Sequence, residues 1–360
     1  MVGREISMGR RNTENTTRNE AILRVKGLTV LNDKKLKAVN DLSFDLYAGE
    51  ILGIAGVSGN GQKELMEALA GLRPTVSGYL EVRGEDISRS SPRERISRGV
   101  AFIPEDRYGF ALIKTMTVAE NASLKCSRKP EFCRRGVLNY RKLEQQAGRF
   151  IEEFEIKVGG PKSLVQSMSG GNAQKLILAR ETAENPSVIL ASYPVRGLDI
   201  KATESIHKIL VQEKSRGAGV LLVSEDLDEI FQLSDRVAVM YEGTFMGILP
   251  VGEVGLEQIG MAIDNLNKIT DQTTLEIQTA QVALQQALGQ VNLCTASLDK
   301  AYENEQKALE KYNEGEISIL EIIDAQTYYQ TAQLNYIQAK TSAQYRYSDL
   351  LRALQAYETE

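Results

Sequence analysis

The chain has 360 residues, 42% of them hydrophobic and 25% charged, with a net charge of −5. That length allows two or three domains, and the composition excludes global disorder. A single histidine, His207, excludes any mechanism that needs two, and three cysteines without metal-ligand spacing (Cys126, Cys133, Cys294) read as reduced thiols of a cytosolic protein.

Residues 1–21 form a polar tail without the apolar core of a secretory signal, and apolar runs such as Gly219–Val223 are far shorter than the ~20 residues a membrane-spanning helix needs. From residue 265 onward there are 13 acidic and 7 basic residues, a net of −6, and the remaining 35 acidic and 36 basic residues leave +1. No basic stripe stands out, so nucleic acid is not an expected partner.

Residues 22–263 alternate short apolar runs with helical stretches and Gly/Pro punctuation. Ile51–Ala55, Val188–Ala191 and Val220–Val223 have the character of buried parallel strands, and Lys63–Ala70, Ala202–Lys214 and Leu227–Leu233 that of the helices following them. This order predicts an α/β layer architecture. Within it, Ile51–Ala55 followed by Gly56-Val-Ser58-Gly59-Asn60-Gly61 and a helix has the layout of a phosphate-binding loop, in which glycine amides and a helix N-terminus face an anion. Gln62 stands where that motif carries lysine, and Lys63 where it carries the magnesium-binding Ser/Thr, with Glu64 next. A one-residue shift turns a side chain by about 100° around a helix, so Lys63 is a poor substitute for the lysine. Taken alone, the glycine loop could equally be a tight strand–helix turn.

Further along, Ser167-Met-Ser169-Gly170-Gly171-Asn172-Ala-Gln174-Lys175 precedes a helix expected over Leu176–Ala183 and forms a second potential anion site. Val188-Ile-Leu-Ala-Ser192-Tyr193-Pro-Val-Arg-Gly-Leu-Asp199 ends a strand. Val220-Leu-Leu-Val-Ser-Glu225-Asp226 ends another, and Phe102-Ile-Pro-Glu105-Asp-Arg107 lies between them and the glycine loop. These five landmarks, in this order, resemble the nucleotide-binding domain of ABC transporters. The resemblance implies ATP as cofactor and a head-to-tail dimer in which each ATP lies between one glycine loop and the partner's signature motif. Under it Gly56, Ser58, Gly59, Asn60, Gly61, Gln62, Lys63 and Glu64 are the nucleotide-binding set, and Ser169, Gly170, Gly171, Asn172, Gln174 and Asp199 act in trans.

Ser192 and Tyr193 replace the expected Asp-Glu pair, Glu225 the switch histidine, and Glu105 the Q-loop glutamine. The implied site has no intact catalytic residue, weakened or lost magnesium binding and very weak hydrolysis. The substitutions resemble the second, degenerate ATPase domain of tandem-ATPase importers for sugars and nucleosides, and Met1-Val-Gly-Arg-Glu5 looks like the tail of a first domain. Implied partners are a catalytically complete ATPase domain and a membrane permease, with a cytoplasmic location at the inner membrane.

After residue 264 the pattern changes. No proline occurs between 265 and 360, and a seven-residue apolar repeat sets in: Ile277, Leu284, Val291, Leu298, an interruption at Glu305, then Tyr312, each followed three residues later by a small residue. Past Asn313–Ser318 it restarts at Ile322, Tyr329, Tyr336, Ala343 and Leu350, with companions Ala325, Ala332, Ala339, Arg346 and Ala353. A period of seven predicts an all-α antiparallel coiled-coil hairpin over 264–360, with arms on the order of 60 Å. The run Ala308-Leu-Glu-Lys-Tyr312-Asn-Glu-Gly315 through Asp324, with Ala332-Gln-Leu-Asn-Tyr336 and Leu350-Leu-Arg-Ala-Leu354, resembles the last helical hairpin of TolC-like outer-membrane efflux proteins. That resemblance implies a periplasmic turn and tunnel-tip acids at Glu321 and Asp324. Two native compartments on one chain point to a joining of gene fragments near 262–275. Two functions therefore stay open: an energy-coupling ATPase half, or a channel or coiled-coil interaction component (including self-association through 265–360) with a vestigial ATPase domain.

Overall fold

The computed structural model describes residues 20–252 and 256–359, with side chains over 20–252 and 275–354. Most of the 1–21 tail, including Met1–Glu5, lies outside the described residues. The chain divides into two compact units between Met261 and Ala262.

The first unit opens with an antiparallel sheet absent from the sequence reading. Strands β1 (Ala21–Leu31) and β2 (Lys37–Tyr47) pair with β4 (Thr75–Val82) and β5 (Glu85–Asp86) in the order β2-β1-β4-β5. Register shifts along β1, one spanning Gly27 with its φ of 59°, interrupt the polar–apolar alternation by which such strands are usually recognised.

The second sheet has the order β12-β11-β3-β10-β9-β6. Its strands are β3 (Ile51–Ala55), β6 (Val100–Ile103), β9 (Val188–Ser192), β10 (Gly219–Val223), β11 (Arg236–Tyr241) and β12 (Thr244–Pro250). All neighbours are parallel except the β11–β12 edge pair. Every residue of β3, β9 and β10 is buried, as expected of strands covered on both faces. Each fully buried Ile or Leu there contributes about 1.5–3 kcal/mol.

Helix α1 (Gln62–Ala70) follows β3, α2 (Pro92–Ser97) and α3 (Val118–Ala122) flank β6, and the short hairpin β7 (Cys133–Arg134)–β8 (Val137–Leu138) leads into α4 (Tyr140–Glu153). Then come α5 (Gly170–Thr182), α6 (Ile200–Ser215) and α7 (Leu227–Leu233). The expected helix at Leu176–Ala183 starts six residues earlier, inside the glycine pair, because Ser169 takes the N-cap position and its carbonyl accepts from Ala173 N. The expectation that no basic run stands out also needs correction. Over 128–142 the segment leading into β7, the β7–β8 hairpin and the start of α4 together carry six basic residues and one acidic, a local net of +5 that sums over whole segments conceal.

The second unit is helical. Helix α8 (Leu256–Asn313) begins eight residues before the change of sequence pattern, and α9 (Ile319–Thr359) follows the turn at 314–318, where Gly315 takes φ 76°. The two helices pack together: the rings of Tyr302 and Tyr329 lie 5.6 Å apart, and Ala301, Ile322, Ala325, Ala332, Ala339 and Ala343 are buried. The least exposed positions between 277 and 308, and between 322 and 343, recur on the two seven-residue seams. Among the described residues no helix is long and apolar enough to cross a membrane.

Candidate functional site

In parallel sheets, ligand-binding loops collect beyond the carboxyl ends of the strands. Neighbouring β3, β10, β9 and β6 end here at Ala55, Val223, Ser192 and Ile103, so the loops starting at Gly56, Ser224, Tyr193 and Pro104 leave the sheet on one side. Four of the five sequence landmarks are thereby brought together.

The glycine loop is built by backbone geometry that side chains would spoil. Gly56 has φ 151° and a Cβ there would come 2.5 Å from the Met240 carbonyl oxygen; Gly61 has φ 101° and a Cβ there would run into the Ala38 carbonyl oxygen. Asn60 ties the loop to the β11–β12 turn, its side-chain oxygen accepting from Glu242 N at 3.0 Å. Gln62, 2% exposed, folds back under the loop and donates from Nε2 to Val57 O at 2.9 Å, while its Oε1 is buried without a partner. Lys63 is turned outward, 63% exposed, and pairs with Glu67 at 3.9 Å; Glu64 lies in the same first turn. Ser58 and Gly59 are exposed at the loop tip.

Beyond β9, Tyr193 adopts the left-handed conformation (φ 48°), held by its backbone N–H donating to Val223 O at 2.8 Å. Its side chain is 6% exposed and lies close to Ser58 of the glycine loop. Burial, with help from Glu225 and Glu105, pushes its phenol up to about 12, so near neutral pH it is an uncharged hydroxyl. Ser192 is buried. Arg196 lies over the Tyr193 ring, 5.7 Å from its centroid, and pairs with Glu105 and, at 3.8 Å, with Glu225. One guanidinium thus gathers Glu105 and Glu225 from the loops after β6 and β10.

Arg107 extends the network. Its Nε–H donates to Gln174 Oε1 at 2.8 Å and its Nη2–H to the Arg196 carbonyl oxygen; burial lowers its pKa. A chain of contacts therefore runs from Ser58 through Tyr193, Arg196 and Arg107 to Gln174 in α5. Arg107 and Arg196 were missed as site residues. The signal was available, since each lies inside an acidic-neighbour motif singled out for other positions.

The signature segment is arranged differently. Ser169 Oγ makes no cap bond to its own helix and instead accepts from Asn172 Nδ2 at 2.8 Å, and it stays exposed. A Cβ on Gly171 would lie 2.8 Å from that of Ala202, so glycine permits the close approach of α5 and α6. Asp199 caps α6, accepting from Ala202 N at 2.9 Å. At the start of α9, Glu321 accepts from Ser318 N (2.8 Å) and Oγ (3.0 Å), which lowers its pKa, while Asp324 is exposed. For a divalent cation at the glycine loop, the donor set (Lys63, Ser192 and Tyr193) offers no carboxylate, and Glu105 and Glu225 are held by Arg196. These residues do not fit a magnesium ion.

A family model described as ABC transporter matches residues 39–195. The nucleoside import ATP-binding protein NupA of Lactococcus lactis is 39% identical over 272 residues, 74% of this chain and 53% of that protein. The guanosine import ATP-binding protein NupO of Bacillus subtilis is 38% identical over 263 residues, 72% of this chain and 51% of its own length. The chain spans about half the length of these curated relatives. Among solved structures, an ATP-binding cassette in its post-hydrolysis dimer with ADP and Pi superposes with TM-score 0.55 at 22% identity, covering 64% of this chain and 98% of that one.

Proposed function

We propose, from the premise that residues 39–195 are an ABC transporter domain homologous to nucleoside and sugar import ATP-binding proteins, that this chain binds ATP as the degenerate half of such an importer. Its signature segment completes the ATP site of a catalytically complete partner domain. One observation carries the reading: the positions from which hydrolysis would draw its charge hold Gln62, Ser192, Tyr193 and Glu225, while Ser169, Gly170, Gly171, Asn172 and Gln174 are kept. Without lysine and carboxylates the chain's own site has little to stabilise transferring charge or position water, and its hold on magnesium is weak or lost. The backbone amides of Gly56–Gly61 remain to hold phosphate. A membrane permease is the other partner, which places the chain at the cytoplasmic face of the inner membrane, and a sugar or nucleoside is the cargo class.

The second unit is, in the same proposal, an antiparallel coiled-coil hairpin of TolC-like type joined to the ATPase half. Its seven-residue exposure pattern and the Tyr302–Tyr329 contact support the hairpin; the quoted motif residues support the family. A second reading, an interaction arm with a vestigial ATPase domain, draws on the same pattern. Mixing the chain with a catalytically complete ABC ATPase domain separates the two. The proposed reading expects stimulated hydrolysis that Ser169→Arg or Gly170→Asp abolishes, because a bulky or anionic side chain would meet the partner's γ-phosphate. Unchanged stimulation in either variant contradicts it.

A further inference from the structure

The stretch 128–142 is the strongest departure from the chain's charge balance. It holds +5 while the whole chain holds −5, which leaves −10 on everything else. Arg128, Lys129, Arg134, Arg135, Arg141 and Lys142 are all exposed, and only Lys129 has a carboxylate within ion-pair distance, that of Glu184 at 2.6 Å. Arg141 and Lys142 open α4, whose first turn has no acidic residue. Cations there oppose the helix dipole, and five unpaired like charges repel one another. The fold gains nothing from this arrangement, so its use is to be sought in what it attracts.

The tip between these charges is apolar. Arg135 (φ 53°) and Gly136 (φ 82°) make the tight turn of the β7–β8 hairpin. Just past it Val137 is 72% exposed, and Tyr140 is 55% exposed beside Arg141. Phe132 and Leu143 are buried on either side, which roots the hairpin in the unit.

We infer that the β7–β8 hairpin and the first turn of α4 form an interfacial anchor for an anionic bilayer, with the arginines and lysines on lipid phosphates and Val137 and Tyr140 at the acyl boundary. Basic side chains bracketing exposed apolar and aromatic ones are the chemistry of such interfaces. A nucleic-acid backbone would satisfy the charges but offers nothing to a protruding valine. The inference does not depend on the nucleotide site, which uses none of these residues.

The test is flotation of the full chain with vesicles of phosphatidylcholine, with and without about 30% phosphatidylglycerol, at about 0.05 M and about 0.5 M salt. Capture by the anionic vesicles alone, weakened at high salt, is expected. Arg134→Glu with Arg135→Glu should lower the partition coefficient on the order of 25-fold or more, about fivefold for each basic side chain lost. Val137→Ser with Tyr140→Ser should lower it while leaving the salt dependence unchanged. Arg134→Gln with Arg135→Gln serves if charge reversal alters the unfolding curve. Equal capture by both vesicle types, or insensitivity to either pair of substitutions, overturns the inference. So does duplex DNA binding that persists at salt where vesicle capture is lost.

Discussion

Arg107 donates its Nε–H to Gln174 Oε1 at 2.8 Å, joining the loop after β6 to the helix that begins in the signature segment. Gln174 is fully buried, and its Nε2 has no partner. Removing the guanidinium would orphan the other end of that amide and free the Arg196 carbonyl. Arg107→Ala should therefore destabilise the first unit by about 1–3 kcal/mol, the range for leaving a buried polar group unsatisfied. Urea denaturation measures it, and a change below about 0.5 kcal/mol, the scatter of neutral surface substitutions, would show that the bond is incidental.

Tyr193 gives the fold a pH dependence with a definite sign. Burial holds its folded pKa at about 12, above the ordinary tyrosine value of about 10. The stability tied to its neutral form is thus fully present below about pH 10 and is lost as pH rises through the folded value. Two units correspond to about 2–3 kcal/mol. Tyr193→Phe should flatten the loss of stability between about pH 10 and pH 12 in thermal melts, and an unaltered alkaline profile would place the hydroxyl elsewhere.

Gln62→Lys with Lys63→Ser should not restore hydrolysis. The carboxylates absent at 192 and 193 and the histidine absent at 225 act with the lysine as a unit, and such groups are far from additive. Robust phosphate release from the double variant would mean that the strand ending at Ser192 has been given the wrong role.

Residues 265–360 should be strongly helical and prone to self-association, since one seam of each helix is mainly alanine and buries little apolar area. Glu321 and Asp324 together would gather like charge in an assembly, so Glu321→Gln with Asp324→Asn should strengthen it, most at low salt. Glu321 has a competing role in holding Ser318 at the start of α9. Asp324→Asn alone keeps that contact and should strengthen association without loosening the helix end. Sedimentation at two salt concentrations decides, and a monomer indifferent to both changes contradicts the tunnel-tip role.

Much of the parallel sheet was legible because β3, β9 and β10 are uninterrupted apolar runs that burial on both faces requires. The β1–β2–β4 sheet was not, because its bulges disturb the period of two and its β2 face is half exposed. In the site, the glycine loop and the signature segment could be read from spacing. The contacts of Tyr193 with Ser58 and of Arg196 with Glu105 could not, because they join loops that only the sheet order makes neighbours. The start of α5 was misplaced because its glycines look like loop residues. The basic hairpin was hidden by summing charge over whole segments.

The chain's own site is expected to hold nucleotide and hardly turn it over. Calorimetric ATP binding and phosphate release on the same purified sample, with and without magnesium, test it most directly. Weak binding that persists without the metal is expected, with turnover well below about 1 s⁻¹, the low end of the ordinary enzyme range of about 1–10³ s⁻¹. Magnesium-dependent turnover of about 1 s⁻¹ or more would contradict it.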